Sequence, residues 1–485
     1  MAQNRLPDAQ PTNGAEAVAH GAAAPGEATL DVRETLRLRG RAMRQSCPRT
    51  SHGNEILGQG DRDPLVLIDQ SNEGRLASLL PVRFSRMLAS PFAFFRGTAI
   101  LQAYDLRGTP TSGITVQCCG DCHLANFGVF ASPEGSTLFD INDFDETFPA
   151  PFEWDIKRLA TSFLLAAKWC EFSAAQGRTA CTAAVEAYRT AIARFAEMKV
   201  LEIWHAQTTI DDVAHLIHSA AALEKRAKKR KQQSGKGATD HVFHQLTTET
   251  DGQLRIVDQP PLLYHLESQA ANGEHQMEPL FAAYRDSLSA DRRVLLDRFW
   301  LVDEAFKVVG VGSVGTRCYV TLWLGGRDDP LFLQIKEARP SVLEGLAGVS
   351  PFNSDGERIV VGQRLMQAAS DIFLGWTSDT QGNEYYVRQL HEHKAAVDLP
   401  SMKPRDLASY ATLCGRTLAR AHAKAGQAPT IHGYLGRRSN FDEAITNYAL
   451  SYCDQVQQDY DAFRAAVEAG RFPIASDPPP EQAAH

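Results

Sequence analysis

Cys118–Glu146 reads C-C-G-D-C-H-L-A-N-F-G-V-F-A-S-P-E-G-S-T-L-F-D-I-N-D-F-D-E. Two polar clusters sit at its ends. The first offers Asp121, His123 and Asn126; the second offers Asp140, Asn142, Asp143, Asp145 and Glu146. Between them, Val129-Phe130 and Thr137-Leu138-Phe139 have strand character, and Ser132-Pro133-Glu134-Gly135 has the composition of a tight turn. The spacing predicts a hairpin that brings the two clusters together. Carboxylates gathered at one point repel one another unless a cation neutralises them. Oxygen donors of this kind suit Mg2+ or Mn2+, with phosphates completing the shell.

On the C-terminal side, P-A-P-F-E-W-D-I-K-R-L-A-T-S stops a strand at its prolines and starts a helix over Phe152 to Cys170, with Trp154, Leu159 and Phe163 in the core. Asp155, Lys157 and Arg158 lie near its start and are placed to support the acidic site; Lys157 and Arg158 are also candidates to contact substrate. On the N-terminal side, V-R-F-S-R-M-L-A-S-P-F-A-F-F-R-G sets Arg83, Arg86 and Arg96 around an aromatic cluster expected in the core. Arg96 either reaches a phosphate or pairs with an acidic group near residue 140.

The character of the chain changes at Val308. V-V-G-V-G-S-V-G-T-R-C-Y-V-T-L-W-L reads as strand, glycine turn, strand, with Gly310, Gly312, Ser313 and Gly315 in the turn. Glycines permit close backbone approach and leave amides free for phosphate oxygens. A Rossmann fingerprint would continue into a helix, and a Walker A loop would end in Gly-Lys-Ser/Thr; neither occurs. The pattern fits the flexible hairpin that covers nucleotide phosphates in kinases, with Lys336 on the following strand L-F-L-Q-I-K-E-A in the place of the phosphate-contacting lysine. Glu357, or another acid of the helix expected over 357–371, is placed to orient that lysine. Arg388 lies on the strand expected over Tyr385 to Leu390. Ser341 to Leu346 is expected to be helical, as are Leu407 to Ala425 and Phe441 to Val467, and Tyr264 to Val309 is expected to be mainly helical.

With 485 residues, the chain is expected to form two or three domains. The net charge of -8 and pI near 6.0 argue against broad nucleic-acid binding. No apolar run has the length of a membrane span, and the first ten residues lack the apolar core of a signal peptide, so a cytoplasmic location is expected. Nine cysteines, few and odd in number, indicate reduced thiols. Adjacent Cys118 and Cys119 with Cys122, and no second Cys-x-x-Cys pair, make an awkward zinc cage.

Over residues 60 to 465 the chain resembles the bacterial family catalogued as domain of unknown function 2252. The resemblance rests on R-M-x-x-S-P-F-A-F-F-R-G, C-G-D-C-H-L-A-N-F-G, F-D-I-N-D-F-D-E, W-D-I-K-R-L, G-S-V-G-T-R-C-Y, L-Q-I-K-E-A, G-Q-R-L-M-Q and L-A-R-A-H-A. More distantly, Cys119 to Asn126 resembles the H-G-D-x-H-x-x-N loop of aminoglycoside and choline kinase-like phosphotransferases, with Cys119 in place of the first histidine. That resemblance implies Asp121 as the catalytic aspartate and Asn126 as a metal ligand. The step from Asn126 favours Asp140 as the metal aspartate, whereas Asp143-Phe144 looks more like the usual Asp-Phe pair. Because the glycine turn and Lys336 follow the catalytic-like loop, the implied fold is α+β, kinase-like and two-lobed in permuted order.

The expected layout is a disordered segment 1–30, a mostly helical lobe 31–305 with the loop 118–146 and a mobile basic linker 225–240, a β-rich antiparallel lobe 306–400, C-terminal helices 401–472 and a disordered tail 473–485. The expected activity is ATP- and Mg2+-dependent phosphotransfer to a small hydroxyl or amine acceptor. Arg96, His123, Asp145, Lys157, Arg158 and Arg388 are candidate substrate or phosphate contacts. Two alternatives stand beside it. One is a metal-dependent phosphoesterase built on the aspartates; the other is an inactive nucleotide-binding or scaffold protein.

Overall fold

The structure, a computed structural model of the chain, describes residues 32–54, 62–209, 243, 246–250, 253–266, 278–326, 329–390 and 398–475. The N-terminal segment 1–30, the helix expected over 210–223, the basic run 225–240 and the tail beyond 475 lie outside the described residues.

The architecture is mixed α+β: a helical region and a smaller antiparallel sheet. Several helices carry their own start signals. Ser90 accepts from the Ala93 amide ahead of Pro91–Gly97, Ser173 and Gln176 form a capping box for Ala174–Glu197, and Ser354 caps Asp355–Met366. Phe152–Trp169 follows Pro151 and carries Glu153 and Asp155 in its first turn, where negative charge suits the helix dipole. This helix is buried along nearly its whole length, including Trp154, Leu159 and Phe163. It packs with Ala174–Glu197, Pro404–Lys424 and Asn440–Glu468 around one apolar core, which also takes in Phe92, Phe94 and Phe95.

Four short strands decorate this region. β1 (Thr115–Cys118) pairs with β4 (Phe148–Pro151), and β2 (Phe127–Ala131) pairs with β3 (Thr137–Ile141). The expected hairpin therefore forms, closed through the 132–136 turn. β5 (Thr247–Thr250) and β6 (Gln253–Ile256) make a separate hairpin.

The larger sheet has six strands in the order β11-β12-β10-β9-β8-β7, all antiparallel. They are β7 (Leu263–Tyr264), β8 (Trp300–Lys307), β9 (Cys318–Leu324), β10 (Pro330–Ala338), β11 (Gly375–Ser378) and β12 (Glu384–Gln389). The glycine turn joins β8 to β9. The helix Asp355–Met366 lies in sequence between β10 and β11 and packs on β11 and β12.

Two expectations fail locally. Tyr264 to Val309 is not mainly helical: Glu278–Ser287 and Ala290–Leu296 are helices, but β7 and β8 flank them. W-L-V-D-E-A-F-K of β8 lacks clean alternation because both faces are covered, and Asp303 and Glu304 are themselves buried. Ser341 to Leu346 forms turns rather than a helix: the Ser341 hydroxyl takes the Leu343 amide, and Gly345 sits at φ +75°. No helix among the described residues is long and apolar enough to cross a membrane.

Candidate functional site

The loop before β2 is set by contacts from three helices. Asp155 accepts the amides of Cys119 at 2.8 Å and Gly120 at 3.0 Å. His422 Nε2 meets the same carboxylate at 3.2 Å, and its Nδ1 meets the Tyr188 hydroxyl at 2.8 Å. Tyr410 donates to the carbonyls of Leu124 and Phe127, and Ser162 accepts from the Leu124 amide. Gly120 has φ +83°, and a Cβ there would stand 2.0 Å from the carbonyl oxygen of Glu146. Only glycine allows the two polar clusters to approach this closely.

Asp121 has one carboxylate oxygen on Arg158 Nε, and its other oxygen lies 3.7 Å from His123 Nε2. Burial raises its pKa against the opposing pull of Arg158. Arg158 is held from behind by Gln102 and by the carbonyl of Phe95. It does not line the cleft and instead positions Asp121. Burial drives His123 far below the ordinary histidine range, so its ring is neutral. Asn126 donates to the carbonyl of Asp121 at 2.9 Å, and its own carbonyl accepts the Asn142 amide at 2.8 Å, so the clusters are tied at the backbone.

The acids after β3 divide sharply. Asp140 is fully buried, ion-paired with Arg420 at 2.6 Å, and also accepts the amides of Ile141 and Ala368. It is not on the cleft wall. Asn142, Asp143, Asp145 and Glu146 are, together with Asp121, His123 and Asn126. Asp145 receives three groups from the sheet: Lys336 Nζ at 2.7 Å, the Tyr386 hydroxyl at 2.6 Å and the Ser313 hydroxyl at 3.2 Å. Burial disfavours its charge, but Lys336 and Tyr386 reverse that and hold the carboxyl below its usual range. Burial and the neighbouring Asp145 push Asp143 up. Burial raises Glu146 to about 7, while it accepts the Val342 amide.

Lys336 lies opposite Cys318 on β9 and Tyr386 on β12, and Gln334 lies opposite Arg388. Arg388 Nε donates to Gln334 at 2.9 Å. Glu357 does not orient Lys336: it accepts the Asn353 amide at the helix start, and Asp145 takes the lysine instead. Lys157 is buried away from the cleft, 4.7 Å from the Tyr448 ring centroid, and burial lowers it to about 7. Arg96 borders the cleft, with its guanidinium 5.8 Å from the Phe92 ring centroid.

The cleft has a volume of about 930 Å3 and runs between the loop 119–127, the acids 142–146, the turn 309–313 and β10. Behind it lies a buried cluster of metal-ligating groups: Cys118, Asp155 and His422, and also Cys119, Cys122 and Asp155, with donor atoms within 4.8 Å of one another in each group. Burial raises all three thiols, Cys122 to about 11. The odd spacing of these cysteines does not announce the cluster. Its other members, Asp155 and His422, come from two helices 267 residues apart, and only packing joins them.

The fold is a mixed α+β architecture with a helical region and a smaller antiparallel sheet, and an acidic cleft lies where the loop 119–127 faces that sheet. The chain belongs to the uncharacterised protein family conserved in bacteria, domain of unknown function 2252, whose family model matches residues 75–466. No curated protein and no solved structure matches the chain.

Proposed function

We propose that the cleft is the site of a metal-dependent phosphotransferase, with a nucleoside triphosphate as donor and a small hydroxyl or amine compound as acceptor. One observation carries the reading. Asp145, beside the catalytic-like loop, is bound by Lys336, 191 residues further along the chain, and by Ser313 of the glycine turn. The two motifs that suggested phosphoryl transfer thus share one carboxylate. The order of strands also supports it: glycine turn, strand, lysine strand and then a packed helix is the arrangement of a kinase nucleotide-binding lobe.

In this reading Asn126, Asp143 and Asp145 would hold Mg2+. The fit rests on an all-oxygen donor set and on the crowding of Asp143, which burial and then Asp145 push up and a hard dication would relieve. Bound Mg2+ supplies charge neutralisation at the phosphate oxygens. Asp140 braces β3 through Arg420. Asp121, oriented by Arg158, accepts the acceptor's proton as its oxygen or nitrogen bonds to the terminal phosphorus and the bridging P–O bond breaks, the electron pair leaving with the nucleoside diphosphate. Lys336 exchanges Asp145 for the donor phosphates.

A second reading, metal-dependent hydrolysis of a phosphate ester, is favoured by the buried Cys/Asp/His cluster, a set of metal donors independent of the turn. Titration calorimetry with ATP and Mg2+ on wild type, Lys336→Ala and Asp143→Asn tests the choice. Mg2+-dependent ATP binding weakened by both changes supports phosphotransfer. Metal binding with no nucleotide effect sinks it and moves hydrolysis ahead.

A further inference from the structure

The turn at 310–315 is gripped along its carbonyl side. Arg86 Nη1 donates to the carbonyl of Gly310. Arg83 Nη1 donates to those of Val311 at 3.2 Å and Gly312 at 2.9 Å. Arg75 Nη1 donates to Val314 at 2.7 Å, and the Leu76 amide donates to Gly315 at 2.8 Å. In a trans peptide the carbonyl and the following N–H point in opposite directions. Fixing the carbonyls of 310, 311, 312 and 314 toward the arginines therefore turns the N–H groups of Val311, Gly312, Ser313 and Gly315 the other way. The Ser313 side chain reaches Asp145 on that side, and residues 310–313 line the cleft, which Arg75 and Arg83 also border. Gly310 at φ +62° and Gly315 at φ +90° provide the left-handed bends this requires.

The grip also carries charge. Arg83 is 1% exposed, and its remaining bonds go to neutral acceptors: Asn72, Ser71 and the carbonyl of Gly97. Among the described residues, neither Arg75 nor Arg83 has an ion pair with a carboxylate. Burial, then Arg75 and Arg339, pushes Arg83 well below its ordinary pKa. A buried, unneutralised guanidinium behind a row of outward amides favours an anion in front of them.

We propose that Arg75, Arg83 and Arg86 are positioning residues that hold the 310–315 turn as a fixed cradle for a chain of phosphates. The proposal rests on the phosphoryl reading and deepens it. The turn is not a flexible flap that closes on the donor; its amides are set before the donor arrives. The ligand class is a linear polyphosphate, either free or borne by a nucleoside.

Titration calorimetry with Mg2+-tripolyphosphate and with Mg2+-ATP tests the cradle on wild type, Arg75→Met, Arg75→Lys, Arg83→Met and Lys336→Ala, below the melting temperature of each. Arg75→Met and Arg83→Met are expected to weaken both ligands by about ten-fold, the scale of losing hydrogen bonds to a charged group. Arg75→Lys is expected to recover most of the loss. Equal losses for the two ligands identify the phosphate chain as the group read; a loss confined to ATP overturns the cradle. Unchanged affinity in Arg75→Met, with Lys336→Ala still weakened, overturns the cradle and leaves the phosphotransferase reading standing. If Arg83→Met does not fold, the half-buried Arg75 decides alone. No binding of either ligand by wild type overturns both.

Discussion

Asp145→Asn removes the one anion shared by three donors of the sheet. Lys336 has a side chain only 5% exposed, and its ammonium sits 2.7 Å from Asp145, which is 25% exposed. Stripping one partner from a buried ion pair costs about 3–5 kcal/mol, because the remaining charge is left without compensation. The partial exposure of Asp145 puts the expected loss near the lower end, about 3 kcal/mol. Lys336→Met is expected to cost less, since Asp145 keeps the hydroxyls of Tyr386 and Ser313. The double variant is expected to lose less than the sum of the singles by about 1–3 kcal/mol, the range for directly contacting groups. Urea unfolding of the four proteins, followed by tryptophan fluorescence, measures this coupling. Additivity within about 0.5 kcal/mol would mean that the contact does not join the acidic loop to the sheet.

Asp140→Asn should destabilise by about 3 kcal/mol by leaving Arg420 buried and unpaired, yet keep Mg2+ affinity, whereas Asp143→Asn should do the reverse; melting curves and metal titrations on the pair separate the roles. Gly120→Ala should lose at least about 1–2 kcal/mol from its left-handed backbone alone, and more from the clash with Glu146, read by thermal unfolding. His52 is lowered to about 3, chiefly by burial, with Lys157 adding to it and Glu153 also nearby. The folded state then binds fewer protons than the unfolded state between about pH 6.5 and 3, so this contribution is complete above 6.5 and is lost as pH falls, by up to about 5 kcal/mol. His52→Gln should flatten the acid limb of a stability–pH profile relative to wild type; parallel profiles would refute the assignment. Elemental analysis of the purified protein tests the Cys/Asp/His cluster: bound Zn2+ that is lost in His422→Ala would make it a metal centre, and a metal-free folded protein would make it loop support alone.

Much of the site is local and therefore legible. The hairpin that brings Asp121 and Asn126 to Asp143 and Asp145 spans fewer than 30 residues, and its turn composition and apolar pairs specify it. The glycine turn and Lys336 are likewise one hairpin apart. For Arg158 the sequence leaves two roles open, because a position one turn into a helix does not say whether a guanidinium faces a ligand or the back of a carboxylate; the structure sets it against Asp121. Asp140 was ambiguous for a similar reason. In β3 its side chain points to one face, and only the packing of Pro404–Lys424 supplies the Arg420 that neutralises it. β8 carries no strand signature in the sequence, because a strand covered on both faces loses its alternation.

The short-range pieces are written in the chain itself: which residues turn, which strands pair through tight loops, and which acids and amides cluster. Those follow from backbone preference and side-chain period, which act over a few residues. Long-range packing brings Lys336 to Asp145, sets Arg75, Arg83 and Arg86 on the glycine turn, and lets His422 brace the loop through Asp155. Each joins segments between about 190 and 270 residues apart. Such contacts arise from burying two apolar surfaces against each other, which carries the polar groups along and leaves no local pattern from which to read them.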